Sequence, residues 1–169
     1  MPSLVWSDEL ALNHTQIDAT HQEFVALLTA AEEAVARSVE EGLVAYEALV
    51  EHTVGHFGQE DRWMTKTGFA PENCHNGQHH QVLSLLKEVI VYAKDKGDYG
   101  PLTRVLPELG PWFANHAQTM DAILASHLDA VGFDFDTETM ARPPQPATEP
   151  EPGVSHCGDG VGNACSSHA

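Results

Sequence analysis

Three short runs in this chain pair metal-binding side chains four or five residues apart: His56-Phe57-Gly58-Gln59-Glu60, His75-x-x-x-His79 and His116-x-x-x-x-Asp121. Residues four apart on an α-helix sit one above the other on the same face, so His56 and Glu60 present an imidazole and a carboxylate in one direction. A single pair of this kind is common by chance. Three of them, each in a separate helical segment and joined by His21 in Asp18-Ala-Thr-His21, restrict the chain to folds that bring several helices around one centre. Together they supply five imidazoles and two carboxylates. That is the ligand set of a carboxylate-bridged di-iron centre. Zinc suits it less, because its sites usually take four ligands.

The segments around these runs read as helices. Residues 1–17 form an arm in which Trp6, Leu10, Leu12 and Ile17 follow no sustained period, and His14 is expected at the surface or as a cap. Asp18 is a candidate N-cap for a first helix running to about Glu40. His21, Phe24, Leu28, Ala31 and Val35 share one face of it at three- and four-residue spacing. An isolated histidine on such a stripe reads as packed core, so His21 becomes a ligand candidate only through its partners. Gly42 is expected to break the pattern. A second helix over roughly 43–67 carries Leu49, His52, His56, Phe57, Glu60, Trp63 and Met64. His52, one turn before His56, is the competitor for ligand status and is expected behind the site or at the surface. After the turn Gly68-Phe69-Ala70-Pro71, a third helix from Pro71 or Glu72 to about Asp95 holds His75 and His79, with His80 exposed and Cys74 inert. Pro107, Gly110 and Pro111 then interrupt a helical pattern, which implies either two helices or one with a kink. The last helix carries Trp112, Phe113, His116, Asp121 and Leu124, has a structural or exposed His127, and ends by Gly132.

Four amphipathic helices with short turns predict an all-α, antiparallel up-down-up-down four-helix bundle, with its metal site built from inward-pointing side chains. This organisation divides the chain into a bundle over 1–132, arm included, and a disordered tail over 133–169. Pro143-Pro144-Gln145-Pro146 and Glu149-Pro150-Glu151-Pro152 oppose helix and leave little to pack. The tail's His156, Cys157, Cys165 and His168 match no standard zinc spacing and are expected to belong to a flexible end.

A formal charge of −17 argues against nucleic acid and anionic membrane surfaces as partners. There is no apolar run near the ~18 residues of a membrane span, and no basic, apolar start of a signal peptide. A cytoplasmic protein without membrane insertion is the expectation.

Di-iron enzymes of the ferritin-like class repeat Glu-x-x-His on two helices, and neither repeat occurs among these candidates. A histidine-rich set gives iron less negative charge, which favours reversible binding over strong oxidants. His21, His56-x-x-x-Glu60, His75-x-x-x-His79 and His116-x-x-x-x-Asp121, with Trp6 in the arm and Trp112 one turn before His116, resemble the hemerythrins, specifically the bacteriohemerythrins. The likeness covers residues 1 to about 132.

The resemblance implies two non-haem irons joined by an oxo or hydroxo group. His75, His79 and His116 would hold one and His21 and His56 the other, with Glu60 and Asp121 bridging. It further implies that dioxygen binds at an open position of the second iron, in a pocket lined by Phe24, Phe57, Trp112, Phe113 and Ala117. Such a protein would carry or store dioxygen, or deliver it to an oxygen-consuming enzyme, and would not itself be an enzyme. Two positions depart from the family pattern: Phe113 stands where leucine is usual and Ala117 where isoleucine is usual, and the Pro107/Pro111 pair is also unusual. The competing functions are an oxidase, peroxidase or nitric-oxide-handling enzyme on the same irons, and a sensor of oxygen or iron.

Overall fold

A computed structural model of the chain describes residues 1–69 and 74–143. Helix α1 (Thr15–Arg37) is followed after one residue by α2 (Val39–Thr67), then α3 (Cys74–Lys96) and α4 (Gly100–His116). A π turn (Ala117–Asp121) joins α4 directly to α5 (Ala122–Val131). Ala117 and Ala122 both keep right-handed helical dihedrals, so α4, the π turn and α5 form one unbroken rod. Helix α1 packs on α2 and α4, and α3 packs on the same two. With such short connections this closed ring of neighbours is the antiparallel four-helix bundle expected from the sequence.

The helix boundaries show where local chemistry overrode the apparent pattern. Helix α1 ends at Arg37, three residues before the expected Glu40, because Ser38 is extended (φ −157°, ψ 141°). The Ser38 Oγ accepts the Glu41 N–H at 3.2 Å and so caps α2. Gly42, expected as the break, lies inside α2. A Cβ there would stand 2.1 Å from Val35 Cγ2 and 2.8 Å from Val35 Cα, so glycine is what allows α1 and α2 to close around a one-residue link. Asp18 does not cap α1 either. It lies in the first turn and accepts the Leu12 N–H at 2.7 Å, tying the arm down.

Pro107 and Pro111 sit inside α4 without ending it. The helix bonds they forgo are offset by the buried stripe of Leu102, Leu106, Leu109 and Phe113. The arm lies across this rod as expected: Gly110 has room only for a hydrogen because Ser3 O would be 2.7 Å from a Cβ, and Ser3 N–H donates to Glu32 on α1.

Residues 133–142 correct the expected start of the tail. Phe133–Asp134 pairs antiparallel with Thr139–Met140, and the hairpin folds back onto the bundle. Glu138 accepts from the Arg62 guanidinium and pairs with Lys66, both on α2, while Arg142 donates to Asp129 O at 2.9 Å and to Val131 O at 3.0 Å, at the end of α5. Phe133 and Phe135 cover Trp63. The expected start of the third helix at Pro71 or Glu72, and the His156, Cys157, Cys165 and His168 group, lie outside the described residues.

Two apolar clusters fill the bundle. The larger holds Phe24, Leu28, Tyr46, Leu49, Leu86, Leu102, Leu106 and Phe113; the smaller holds Ile17, Trp63, Met64, Leu124, Leu128 and Phe133. Between them lies a layer of buried polar side chains. Among the described residues no helix is long and apolar enough to cross a membrane.

Candidate metal centre

Each helix contributes to the polar layer by its own spacing. His21 occupies the α1 face between Ile17 and Phe24. His56 and Glu60 are one turn apart on α2, and His75 and His79 one turn apart on α3. His116 and Asp121 are five apart, which on a regular α-helix would leave them about 140° out of line. The π turn accommodates one extra residue and removes that offset. His116 Nε2 thereby comes within 3.2 Å of Asp121 Oδ1. All seven nominated residues are buried, His21, His79, His116 and Asp121 completely.

The two carboxylates lie at the middle of the imidazoles. Glu60 Oε1 is 3.2 Å from His56 Nε2, and its Oε2 is 3.4 Å from His75 Nε2 and 3.3 Å from His79 Nε2. Asp121 Oδ1 is 2.9 Å from His75 Nε2, and its Oδ2 is 3.1 Å from His21 Nε2. The donor atoms resolve into two overlapping groups, each within 4.8 Å: Glu60, His75, His79, His116 and Asp121 in one, and His21, His56, Glu60 and Asp121 in the other. Glu60 and Asp121 belong to both.

The chemistry of the donors fits metal ions better than mutual hydrogen bonding. His21 Nε2, His75 Nε2, Glu60 Oε2 and both Asp121 oxygens are buried close to opposite charges, yet they make no hydrogen bond of acceptable angle among the described residues. They aim at shared points rather than at one another. Burial works against the charged Glu60 and Asp121 carboxylates, but the surrounding imidazoles outweigh it and hold both well below the ordinary carboxylate range. Burial likewise pushes the His75 imidazole down, and the neighbouring Asp121 and Glu60 override it, lifting the group to about 9. For His116 burial prevails and its affinity for a proton falls. Without metal, protons and ion pairs share a space shaped for cations.

Two neighbours escaped sequence reasoning. His79 Nδ1 donates to Asp61 Oδ1 at 2.9 Å, and His116 Nδ1 donates to Gln78 Oε1 at 2.9 Å. Each bond leaves Nε2 as the ring's lone-pair donor toward the centre. The signal available was adjacency: Asp61 follows Glu60 and Gln78 precedes His79. Partial burial works against the Asp61 carboxylate, and hydrogen bonds from His79 and Asn76 outweigh it, keeping the group below its ordinary value.

The other histidines among the described residues fall outside both donor groups. His52 directs Nε2 to Thr20 O at 3.2 Å and Nδ1 toward Glu23, at the rim behind His56. His14 pairs with Asp129, His127 meets Thr67 O, and His80 is exposed, as is Cys74. The five nominated pocket residues flank the centre from two directions. Phe113 stacks on Phe24 and meets His21 edge-on at 5.1 Å, beside the His21/His56 group. Phe57 stacks on His79 at 3.9 Å, and the half-buried Trp112 stacks on His116 at 4.8 Å, on the other side. Ala117 is fully buried at the start of the π turn.

Residues 13–128 match the family model described as the hemerythrin HHE cation binding domain. A bacteriohemerythrin of Ralstonia nicotianae is 37% identical over 141 residues, which cover 83% of this chain and all of the relative. A bacteriohemerythrin of Pseudomonas paraeruginosa is 29% identical over 78% of this chain and 83% of its own length. A myohemerythrin of Riftia pachyptila is 26% identical over 69% of this chain and 87% of its own.

Proposed function

The chain belongs to the hemerythrin family, which binds a di-iron centre, and we propose that it binds dioxygen reversibly at two irons held by its seven buried donors. In this reading His75, His79 and His116 would hold one iron and His21 and His56 the other, with Glu60 and Asp121 shared by both. The observation that carries it is the inequality of the two donor groups: five residues serve one position and four the other, with both carboxylates shared. An ion with four protein donors has more room for an outside ligand than its neighbour with five. When bound, the two ferrous irons would supply the two electrons that dioxygen takes up on binding and gives back on release. The protein's own part is to hold the imidazoles with Nε2 inward, to keep both carboxylates charged, and to exclude water.

Water exclusion falls to Phe24 and Phe113 beside the His21/His56 position and to Phe57 and Trp112 on the other side. On the His21/His56 side His52 lies 6.1 Å from His56, ring centre to ring centre, and turns its nitrogens to Thr20 and Glu23. An apolar wall without a positioned acid or base favours binding and release over chemistry on a bound substrate. The protein then serves as a carrier or store of dioxygen, or delivers it to an oxygen-consuming enzyme.

The test is iron content per chain, together with the visible spectrum of the reduced protein on adding oxygen and again after purging with argon. Two irons and a band that appears and fades reversibly are expected. Immediate irreversible oxidation would overturn the carrier reading. Fewer than two irons would overturn the site itself.

A further inference from the structure

Behind the seven donors the protein is not symmetric. The outer nitrogens of His79 and His116 each donate to a side chain, Asp61 and Gln78 respectively, both at 2.9 Å. The outer nitrogens of His21, His56 and His75 have no such acceptor among the described residues. Both acceptors therefore stand behind the five-donor position, and Asp61 is the charged one of the two. Its place follows from helix geometry. One residue beyond Glu60 on α2, it is turned about 100° from the centre, which puts it behind an imidazole that α3 supplies. Its side chain is 28% exposed, so it stands at the edge of the site rather than inside it.

We propose that Asp61 is a positioning residue that locks His79 with Nε2 toward the metal and, by its negative charge, makes His79 the strongest neutral donor of the set. The inference rests on the di-iron reading above. A carboxylate that accepts the Nδ1 proton leaves more electron density on Nε2. That density stabilises Fe3+ more than Fe2+, so the iron held by His75, His79 and His116 gives up its electron more readily than the iron held by His21 and His56. Gln78 fixes the orientation of His116 in the same way without adding charge. The chain thus distinguishes its two irons by charge as well as by number of donors.

The experiment is a redox titration of the full-length, iron-loaded protein, in which each iron exchanges one electron with dithionite-reduced or ferricyanide-oxidised mediator dyes. The variants are Asp61→Asn, Asp61→Glu, Asp61→Ala and Gln78→Glu. Asp61→Asn keeps an acceptor for His79 but loses the charge, and should raise the midpoint potential with two irons still bound. Asp61→Glu should restore the wild-type value, and Gln78→Glu, which adds a charge behind His116, should lower it. Asp61→Ala, which removes the acceptor, should weaken iron binding about 10–100-fold. A wild type with two irons, in which Asp61→Asn and Gln78→Glu leave the potential unmoved or shift it the same way, would overturn this inference and leave the di-iron reading standing. Fewer than two irons in the wild type would overturn both.

Discussion

Stripping both irons returns the seven donors to a layer sealed between two apolar clusters. Five inward-facing atoms then have no hydrogen-bond partner among the described residues: Nε2 of His21 and of His75, Oε2 of Glu60, and both oxygens of Asp121. A buried polar group left wholly unpaired costs about 1–3 kcal/mol, but each of these atoms has an opposite charge within 2.9–3.4 Å that offsets part of the cost, so the sum stays at the low end, roughly 5 kcal/mol. At the low end, and with about 2–4 °C lost per kcal/mol in a chain of this size, the melting temperature should fall by at least about 10 °C on iron removal. Acidity gives this prediction a second arm. The folded metal-free protein holds His75 at about 9 against an ordinary 6.5. A raised value means that its contribution is complete below pH 6.5 and is lost as pH rises through 9, a loss of about 3 kcal/mol. Iron takes the place of that proton, so the loaded protein should bind metal more tightly over the same range. Calorimetry of loaded and metal-free protein at pH 6, 7.5 and 9 reads both arms. A metal-free protein that melts within about 3 °C of the loaded form, or equally well at pH 6 and pH 9, would refute the argument that these donors are held for a cation.

Gly42→Ala forces a Cβ to within 2.8 Å of the Val35 backbone and should cost about 1–3 kcal/mol or more in urea denaturation, with iron content unchanged once folded. Phe113→Ala removes a fully buried ring stacked on Phe24 at 4.1 Å; it should cost about 3–5 kcal/mol and speed oxidation of the reduced protein in air, followed in the visible spectrum. Glu60→Ala takes a donor from both groups at once and should leave fewer than two irons per chain by elemental analysis. Ending the chain after residue 132 uncovers Trp63 and should shift its fluorescence to the red and lower the melting temperature.

The bundle was legible in the sequence because four apolar stripes at helical spacing have few other ways to be buried. The candidate donors that the fold brings together were legible because metal chemistry accepts few residue types and an α-helix offers few spacings. What escaped was decided by smaller forces. Ser38-x-x-Glu41 has the form of a capping box and marks the true start of α2, but Gly42 is the louder punctuation and drew the boundary four residues late. The five-residue interval from His116 to Asp121 conflicts with any regular helix, and that conflict was itself the sign of the π turn. The hairpin over 133–142 is short and is held to the bundle by the Phe133 and Phe135 rings, the Glu138 pairs and the Arg142 hydrogen bonds, none of which has a periodic signature, so composition alone assigned it to the tail. Asp61 and Gln78 were hidden by their neighbours: next to Glu60 and His79, a second polar residue reads as surface.

The inequality between the two metal positions traces to one difference between helices. Helix α3 repeats its histidine after one turn, so His75 and His79 both reach the centre, and it brings no carboxylate. Helix α1 offers His21 alone. One turn further along, it carries Phe24 and Val25, both buried in the larger apolar cluster, where a second donor would complete the four-donor group. Helix α2 and the π-turn rod each supply one imidazole and one shared carboxylate, so they serve both positions evenly. The side of the site with fewer donors is therefore also the side where α1 presents a phenyl ring, stacked on Phe113 and in edge contact with His21 through it. The same placement of carbon rather than nitrogen on α1 leaves the second donor group one member short and gives it an apolar wall, and the proposed reversible binding of a small apolar gas calls for both.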